Sequence, residues 1–302
     1  MNKIDLFEKI KSEIGSKLNF LEDKPEETLD STLKALWLKA SGISRSSEEA
    51  LKSDLPDITE QQRTLLYQLI EQRINLIPLA HITGRQSFMG IELITDKRAL
   101  IPRKETEILG RRALEISKEI SQHKKKVTVI DVCCGAGNLG LAIALLNPNT
   151  IVYSADLSSD AVELAQENIS FLNLNNRVQV YQGDLLSAFE TDKYYNKINL
   201  IVCNPPYISS TKATKMNSEI SSNEPILAFD GGMLGTKIIQ KLIQEAPKFL
   251  AKNGWVIFEV GVGQGEFIMQ LCKKSNRFNQ IDSGSDDLGN IRVVLAQNRE
   301  VS

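Results

Sequence analysis

From residue 127 onward, short apolar runs alternate with amphipathic stretches, and this alternation restricts the chain more than any other feature. Val127-Thr128-Val129-Ile130-Asp131-Val132 reads as a buried strand, followed by a glycine-rich turn and a helix from Asn138. Further strands are expected over 150–155, 177–182, 198–203 and 255–260, and helices over 158–172, 236–251 and 264–274. Phe278 to Asp282 and Ile291 to Ala296 are placed to close the sheet as a hairpin pair. Strands that alternate with helices build an α/β, Rossmann-like domain with a mainly parallel sheet and helices on both faces.

Ahead of this region the periodicity is helical. Ile4, Phe7, Ile10, Ile14, Leu18 and Leu21 recur at steps of three and four, as do Leu29, Leu33, Leu36, Trp37 and Ala40. Thr59 is a candidate N-cap for a third helix carrying Leu65, Leu66, Leu69 and Ile70. The pattern then changes: Phe88 to Ile94 and Ala99 to Ile101 flank the polar turn Thr95-Asp96-Lys97-Arg98, which predicts a β-hairpin. The expected organisation is a small all-helical N-terminal domain over 1–80 for partner recognition, a β-hairpin linker over 81–104, and the α/β domain over 105–302.

Composition removes several classes of function. The 302 residues are 42% hydrophobic and 25% charged with a net charge of −2, which suits a soluble globular chain and calls for no basic nucleic-acid surface. No apolar run reaches the ~18 residues that cross a bilayer, and the N-terminus reads as an amphipathic helix rather than a signal peptide. The four cysteines, Cys133, Cys134, Cys203 and Cys272, lack CxxC spacing, and only His81 and His123 are histidines. Disulfides, a metal site and a histidine triad are therefore not expected, and a reducing cytoplasm fits. A monomer with no membrane partner and no direct nucleic-acid partner is expected.

Gly135-Ala136-Gly137-Asn138-Leu139-Gly140 matches G-x-G-x-x-G between a strand and a helix, and Asp156 lies 21 residues after Gly135 at the end of the next strand. That acid is placed to hydrogen-bond a ribose diol, and the glycines let backbone approach a ligand. Alone, this pattern fits NAD, FAD or S-adenosylmethionine. Asp131, just ahead of the loop, would repel a pyrophosphate but suits the ammonium and sulfonium of S-adenosylmethionine. Asp184, in Gly183-Asp184-Leu185 after the third strand, stands where a contact to adenine is expected.

Asn204-Pro205-Pro206-Tyr207 follows the apolar strand ending at Cys203. Its two prolines fix φ, remove two N–H donors and bias the residues before them away from the helical region. The stiff loop presents backbone carbonyls, and Asn204 adds a side-chain carbonyl acceptor and an NH₂ donor. Together these can hold a substrate NH₂ by both hydrogens, with Tyr207 stacked on a flat acceptor. The acceptor nitrogen, amide or aromatic amine, stays open at this point.

The chain resembles the protein-(glutamine-N5) methyltransferases that modify peptide chain release factors, over roughly residues 72–297. Pro78 to Gly84 resembles the family's linker signature, and Leu100-Ile101-Pro102-Arg103-Lys104-Glu105-Thr106-Glu107 its L-I-P-R-P-x-T-E segment, with Lys104 in place of the usual proline. Glu224-Pro225 through Gly231-Gly232, Gly254-Trp255 to Gln264, and Asp287 to Arg292 resemble three later blocks. The resemblance implies a seven-stranded S-adenosylmethionine-dependent methyltransferase domain and a substrate glutamine in the Gly-Gly-Gln loop of a release factor. It also implies that Cys133, Cys134, Gly135, Ala136 and Gly137 line the cofactor, that Asp156 holds the ribose, that Leu185 flanks adenine, and that Asn204 to Tyr207 grip the glutamine amide. The family usually has a small pair such as Gly-Thr where Cys133-Cys134 stand. The alternatives are a glutamine methyltransferase for a large-subunit ribosomal protein and an adenine-N6 DNA methyltransferase.

Overall fold

The computed structural model describes residues 2–21, 23–207, 224–225 and 236–299; the Gly231-Gly232 end of the third block lies outside them. The chain divides into two compact units, one of residues 1–97, 101–104 and 217–224, the other of residues 98–100, 105–216 and 225–302.

The first unit carries helices α1 (Lys3–Ile14), α2 (Leu29–Ala40), α3 (Ser47–Lys52), α4 (Glu60–Ile74) and α5 (Leu79–Thr83), then strands β1 (Arg85–Phe88) and β2 (Ile91–Ile94). Thr28 and Thr59 start α2 and α4 with capping boxes, each hydroxyl accepting a backbone N–H three residues on. Leu33, Leu36, Trp37, Leu66 and Ile70 form the centre of the core, and Trp37 donates its indole N–H to the Pro56 carbonyl at 3.0 Å. Ile4 and Leu65, expected on buried faces, are exposed. Two short helices, α3 and α5, went unexpected because five or six residues are too few to show a period.

The hairpin lies earlier than its sequence suggests. β1 pairs with β2 across Phe88↔Ile91, and the turn is Met89-Gly90, with φ of 52° and 78°. Positive φ at both central residues marks the two-residue turn whose twist matches the strands. The segment Ala99 to Ile101 is not a strand; the Ile101 N–H goes instead to the Glu224 carboxylate at 3.0 Å.

The second unit runs α6 (Thr106–Ser121), β3 (Val127–Val132), α7 (Asn138–Leu146), β4 (Thr150–Asp156), α8 (Ser159–Phe171), β5 (Val178–Gln182), β6 (Ile198–Cys203), α9 (Lys237–Phe249), β7 (Leu250–Glu259), α10 (Gly265–Lys274), β8 (Phe278–Ser285) and β9 (Ile291–Asn298). These strands form one seven-stranded sheet in the order β5-β4-β3-β6-β7-β9-β8. The first five are parallel, and the β8–β9 pair closes the sheet antiparallel to β7. Every residue of β6 is buried, as expected for a central strand covered on both faces. The order reverses direction at β3, which has β4 on one side and β6 on the other. Such switch points open a crevice at the carboxyl ends of the strands. Among the described residues, no helix is long and apolar enough to cross a membrane.

Leu200 sits at the middle of β6 with no solvent exposure. Leu200→Ala should lower unfolding free energy by about 2–5 kcal/mol, read as a shift of the urea midpoint. A loss below about 0.5 kcal/mol would mean that this sheet is not the core of the unit.

Candidate active site

β3 and β4 deliver two loops to one end of the sheet. After Val132 the chain takes positive φ at Cys133 (56°), Gly135 (52°) and Gly137 (83°). Cysteine therefore holds the left-handed conformation natural to glycine, at a cost of roughly 1–2 kcal/mol. A Cβ built on Gly135 would meet nothing nearer than Ala99 Cβ at 3.9 Å, so the loop backbone faces open space. At Gly140 a Cβ would approach Asp131 Oδ2 to 2.9 Å, so this glycine lets α7 pack against the strands.

Asp156 ties this loop to β4. One carboxylate oxygen accepts the Gly135 N–H at 2.9 Å, the other the Ser158 N–H at 3.0 Å. Burial raises its pKa, and these backbone N–H groups oppose the shift. A carboxylate has about four acceptor positions, so it can still receive the two hydroxyls of a ribose. Asn168 holds the far side of the loop by donating to the Ala136 carbonyl at 3.1 Å.

Several expected contacts are placed differently. Asp131 is fully buried and does not open onto the crevice; its Oδ2 accepts the Gly140 N–H at 2.9 Å from beneath the loop. This bond shapes the helix entry, while Oδ1 is buried with no hydrogen-bond partner among the described residues. Burial pushes its pKa up to about 7, against the lowering effect of that hydrogen bond. Cys134 and Ala136 are also buried, leaving only their backbone to face a ligand, whereas Cys133 is half-exposed. Asp184 is paired with Lys241 of α9 at 2.5 Å. Leu185 buries its side chain in the core. Leu157, directly after Asp156, is 58% exposed, a residue whose side chain no periodicity singles out.

The tetrapeptide leaves the adjacent strand. Val132 of β3 pairs with Cys203 of β6, so Asn204 emerges beside the glycine loop. Asn204 is half-buried, and its Nδ2 donates to the Thr106 hydroxyl at 3.2 Å. Pro205 is buried. The Tyr207 carbonyl accepts from Gln264 Nε2 at 3.1 Å, while Gln264 Oε1 accepts the Gly261 N–H at 2.9 Å. Arg292 Nη2 lies 3.4 Å from the Tyr207 hydroxyl and 3.4 Å from Glu259 Oε1. Burial, and then the neighbouring Glu259 carboxylate, hold the Tyr207 phenol well above its ordinary pKa. Glu259 is itself buried, which pushes its pKa up to about 7; Thr106, Arg292 and Tyr207 favour its charged form.

Thr106, Glu259, Gln264 and Arg292 lie in segments that resemble family blocks, but none was singled out as a site residue in the sequence. The blocks are one signal; another is Glu259, an ionisable residue closing the apolar run Val256-Ile257-Phe258, because a charged side chain is rarely buried without a partner.

Residues 123–298 match the family described as "Methyltransferase domain". The chain is 34% identical to the release factor glutamine methyltransferase of Thermodesulfovibrio yellowstonii, covering 82% of this chain and 86% of that protein. It is 30% identical to the release factor glutamine methyltransferase of Bacillus subtilis, covering 86% and 88%. A solved structure described as "Human methyltransferase 10 domain containing protein" is similar in fold, with a TM-score of 0.51 and 15% identity over 70% of this chain and 90% of that one.

Asp131 generates a pH test. Its folded pKa of about 7 lies above the ordinary 3.8, so the folded state holds the proton more tightly and stability falls as pH rises through this window. Asp131→Asn keeps an acceptor for Gly140 but cannot ionise. Its unfolding free energy relative to the parent should rise from about pH 4 to about pH 7 and level off above, by a few kcal/mol at most. Parallel stability curves would show that Asp131 carries no such cost.

Proposed function

The chain belongs to the release factor glutamine methyltransferases, and from that premise we propose that it methylates the side-chain amide nitrogen, N5, of the glutamine in a release factor's Gly-Gly-Gln loop. S-adenosylmethionine supplies the methyl group, on a positively charged sulfur, when bound over the glycine loop. The open space above Gly135 and the accepting oxygens of Asp156 fit its amino-acid and ribose parts. We assign Asp156 to the ribose, Leu157 to the adenine face, and the backbone of 133–137 to the rest.

The observation that carries the reading is the orientation of Asn204. Its Nδ2 is engaged by Thr106, and its Oδ1 takes no hydrogen bond among the described residues. Oδ1 is therefore available to accept one hydrogen of the substrate NH₂, while a backbone carbonyl of Pro205 or Pro206 takes the other. An amide nitrogen is a weak nucleophile because its lone pair is delocalised. Holding both hydrogens aims that lone pair at the methyl and converts the encounter into a positioned displacement. As the nitrogen gains positive charge, its hydrogens become stronger donors, so the same bonds tighten in the transition state. One proton then leaves the nitrogen to water.

The helices of residues 1–80 are assigned to recognition of the release factor, and the protein to the cytoplasm as a monomer; its thiols, free among the described residues, suit a reducing compartment.

Purified protein should transfer labelled methyl from S-adenosylmethionine to a release factor, and replacing the glutamine of the Gly-Gly-Gln loop should abolish labelling. Label on a ribosomal protein or on DNA instead would overturn the substrate. Asn204→Ala should lower kcat by about 10²-fold or more, while calorimetry shows an S-adenosylmethionine Kd within about threefold of the parent.

A further inference from the structure

We propose that Gln264 is a positioning residue for amide methylation: its side-chain amide staples the Tyr207 carbonyl to the loop after β7 and holds the far end of the tetrapeptide. The inference rests on reading that tetrapeptide as the grip on the substrate amide, and it adds a residue which that reading does not use.

The near end of the grip is fixed by the sheet. Cys203 is paired with Val132 of β3 and with Phe258 of β7, so Asn204 leaves a strand held on both sides. Beyond it the chain has few ways to anchor itself. Pro205 and Pro206 have no N–H to donate, and among the described residues 204–207 make no backbone-to-backbone hydrogen bond. The far end is therefore held through the carbonyl and the side chain of Tyr207. Gln264 Nε2 donates to that carbonyl at 3.1 Å. Arg292 Nη2 lies 3.4 Å from the phenol oxygen, a weaker tie at that length.

The direction of the Gln264 amide is set by the backbone beside it. Its Oε1 accepts the Gly261 N–H at 2.9 Å, and its own backbone N–H donates to the Gly261 carbonyl at 3.0 Å. A backbone N–H only donates, so the amide turns its oxygen to Gly261 and its NH₂ to Tyr207. A Cβ built on Gly261 would come within 3.1 Å of Tyr207 Cδ2 and 3.0 Å of Gln264 Oε1. The lack of a side chain at Gly261 thus lets the two loops close on each other. The staple occupies the Tyr207 carbonyl, which leaves the Pro205 and Pro206 carbonyls as backbone acceptors for the substrate NH₂. A four-residue loop held at both ends keeps those carbonyls at one separation from Asn204, as a positioned displacement requires.

The test compares Gln264→Glu with Gln264→Met, and both with Asn204→Ala. Glutamate keeps the shape of glutamine and an oxygen for the Gly261 N–H. When ionised it cannot donate to Tyr207 and sets a negative charge against that carbonyl. Methionine keeps the length and loses both bonds. Each variant is assayed at about pH 8, where a carboxylate is ionised, for kcat, release-factor KM, S-adenosylmethionine Kd by calorimetry, and thermal unfolding. Gln264→Glu should lose about tenfold or more in kcat, at least as much as Gln264→Met, with KM and Kd within about threefold and the unfolding transition retained. A residue that only closes the 261–264 turn gives the opposite order, with Gln264→Met impaired and Gln264→Glu matching the parent. That order, parental kcat in both variants, or a loss of cofactor affinity that accounts for the lost turnover would overturn the proposal; Gln264→Glu decides alone if Gln264→Met does not fold. If Asn204→Ala is inactive while Gln264→Glu matches the parent, the staple fails and the amide grip stands. If Asn204→Ala retains turnover, both fail.

Discussion

The pairing of Val132 with Cys203 is the contact on which the rest of the site depends. Parallel neighbours lie only ~4.8 Å apart, so the loops that leave β3 and β6 emerge side by side and the same way up. One is a glycine loop that opens its backbone to a ligand; the other is a proline-stiffened tetrapeptide that presents acceptors. The reversal of strand order at β3 sends the neighbouring crossovers apart and leaves the crevice uncovered. Without that register, a methyl donor and an amide acceptor would be held by unrelated parts of the molecule.

Two buried carboxylates support the two loops from beneath. Asp131 holds the Gly140 N–H where α7 begins, and Glu259 is paired with Arg292, whose guanidinium also reaches the Tyr207 hydroxyl of the tetrapeptide. Burial raises the pKa of each to about 7, so neither is a cheap way to hold structure together. Their placement makes sense if the loops must be held in one orientation rather than merely held. The ties above them are short and local: Asp156 to Gly135, Asn168 to Ala136, Gln264 to Tyr207.

Much of the fold was legible along the chain. β3 and β6 have the bounds that their apolar runs predict, because a strand buried on both faces reads as an uninterrupted run. The hairpin was displaced by several residues, since the polar stretch Thr95 to Arg98 looks more like a turn than Met89-Gly90 does. Only the backbone reveals that Met89 takes positive φ there. Side-chain direction was not legible: Asp131, Cys134 and Leu185 turn inward, while Leu157 turns outward.

The sequence by itself determined the parallel α/β architecture, the glycine loop with its acid on the following strand, and the tetrapeptide after the central strand. Each of these is a local pattern, written in spacing and in the backbone limits of glycine and proline. Tertiary structure alone decided which side chains reach one another. Thr106, Asn204, Glu259 and Arg292 lie far apart along the chain, and they meet because β6 and β7 end where α6 and β9 begin. Hydrogen-bond direction depends on partners that distant, so the facing of Asn204 is a property of the assembled fold and not of the tetrapeptide that contains it.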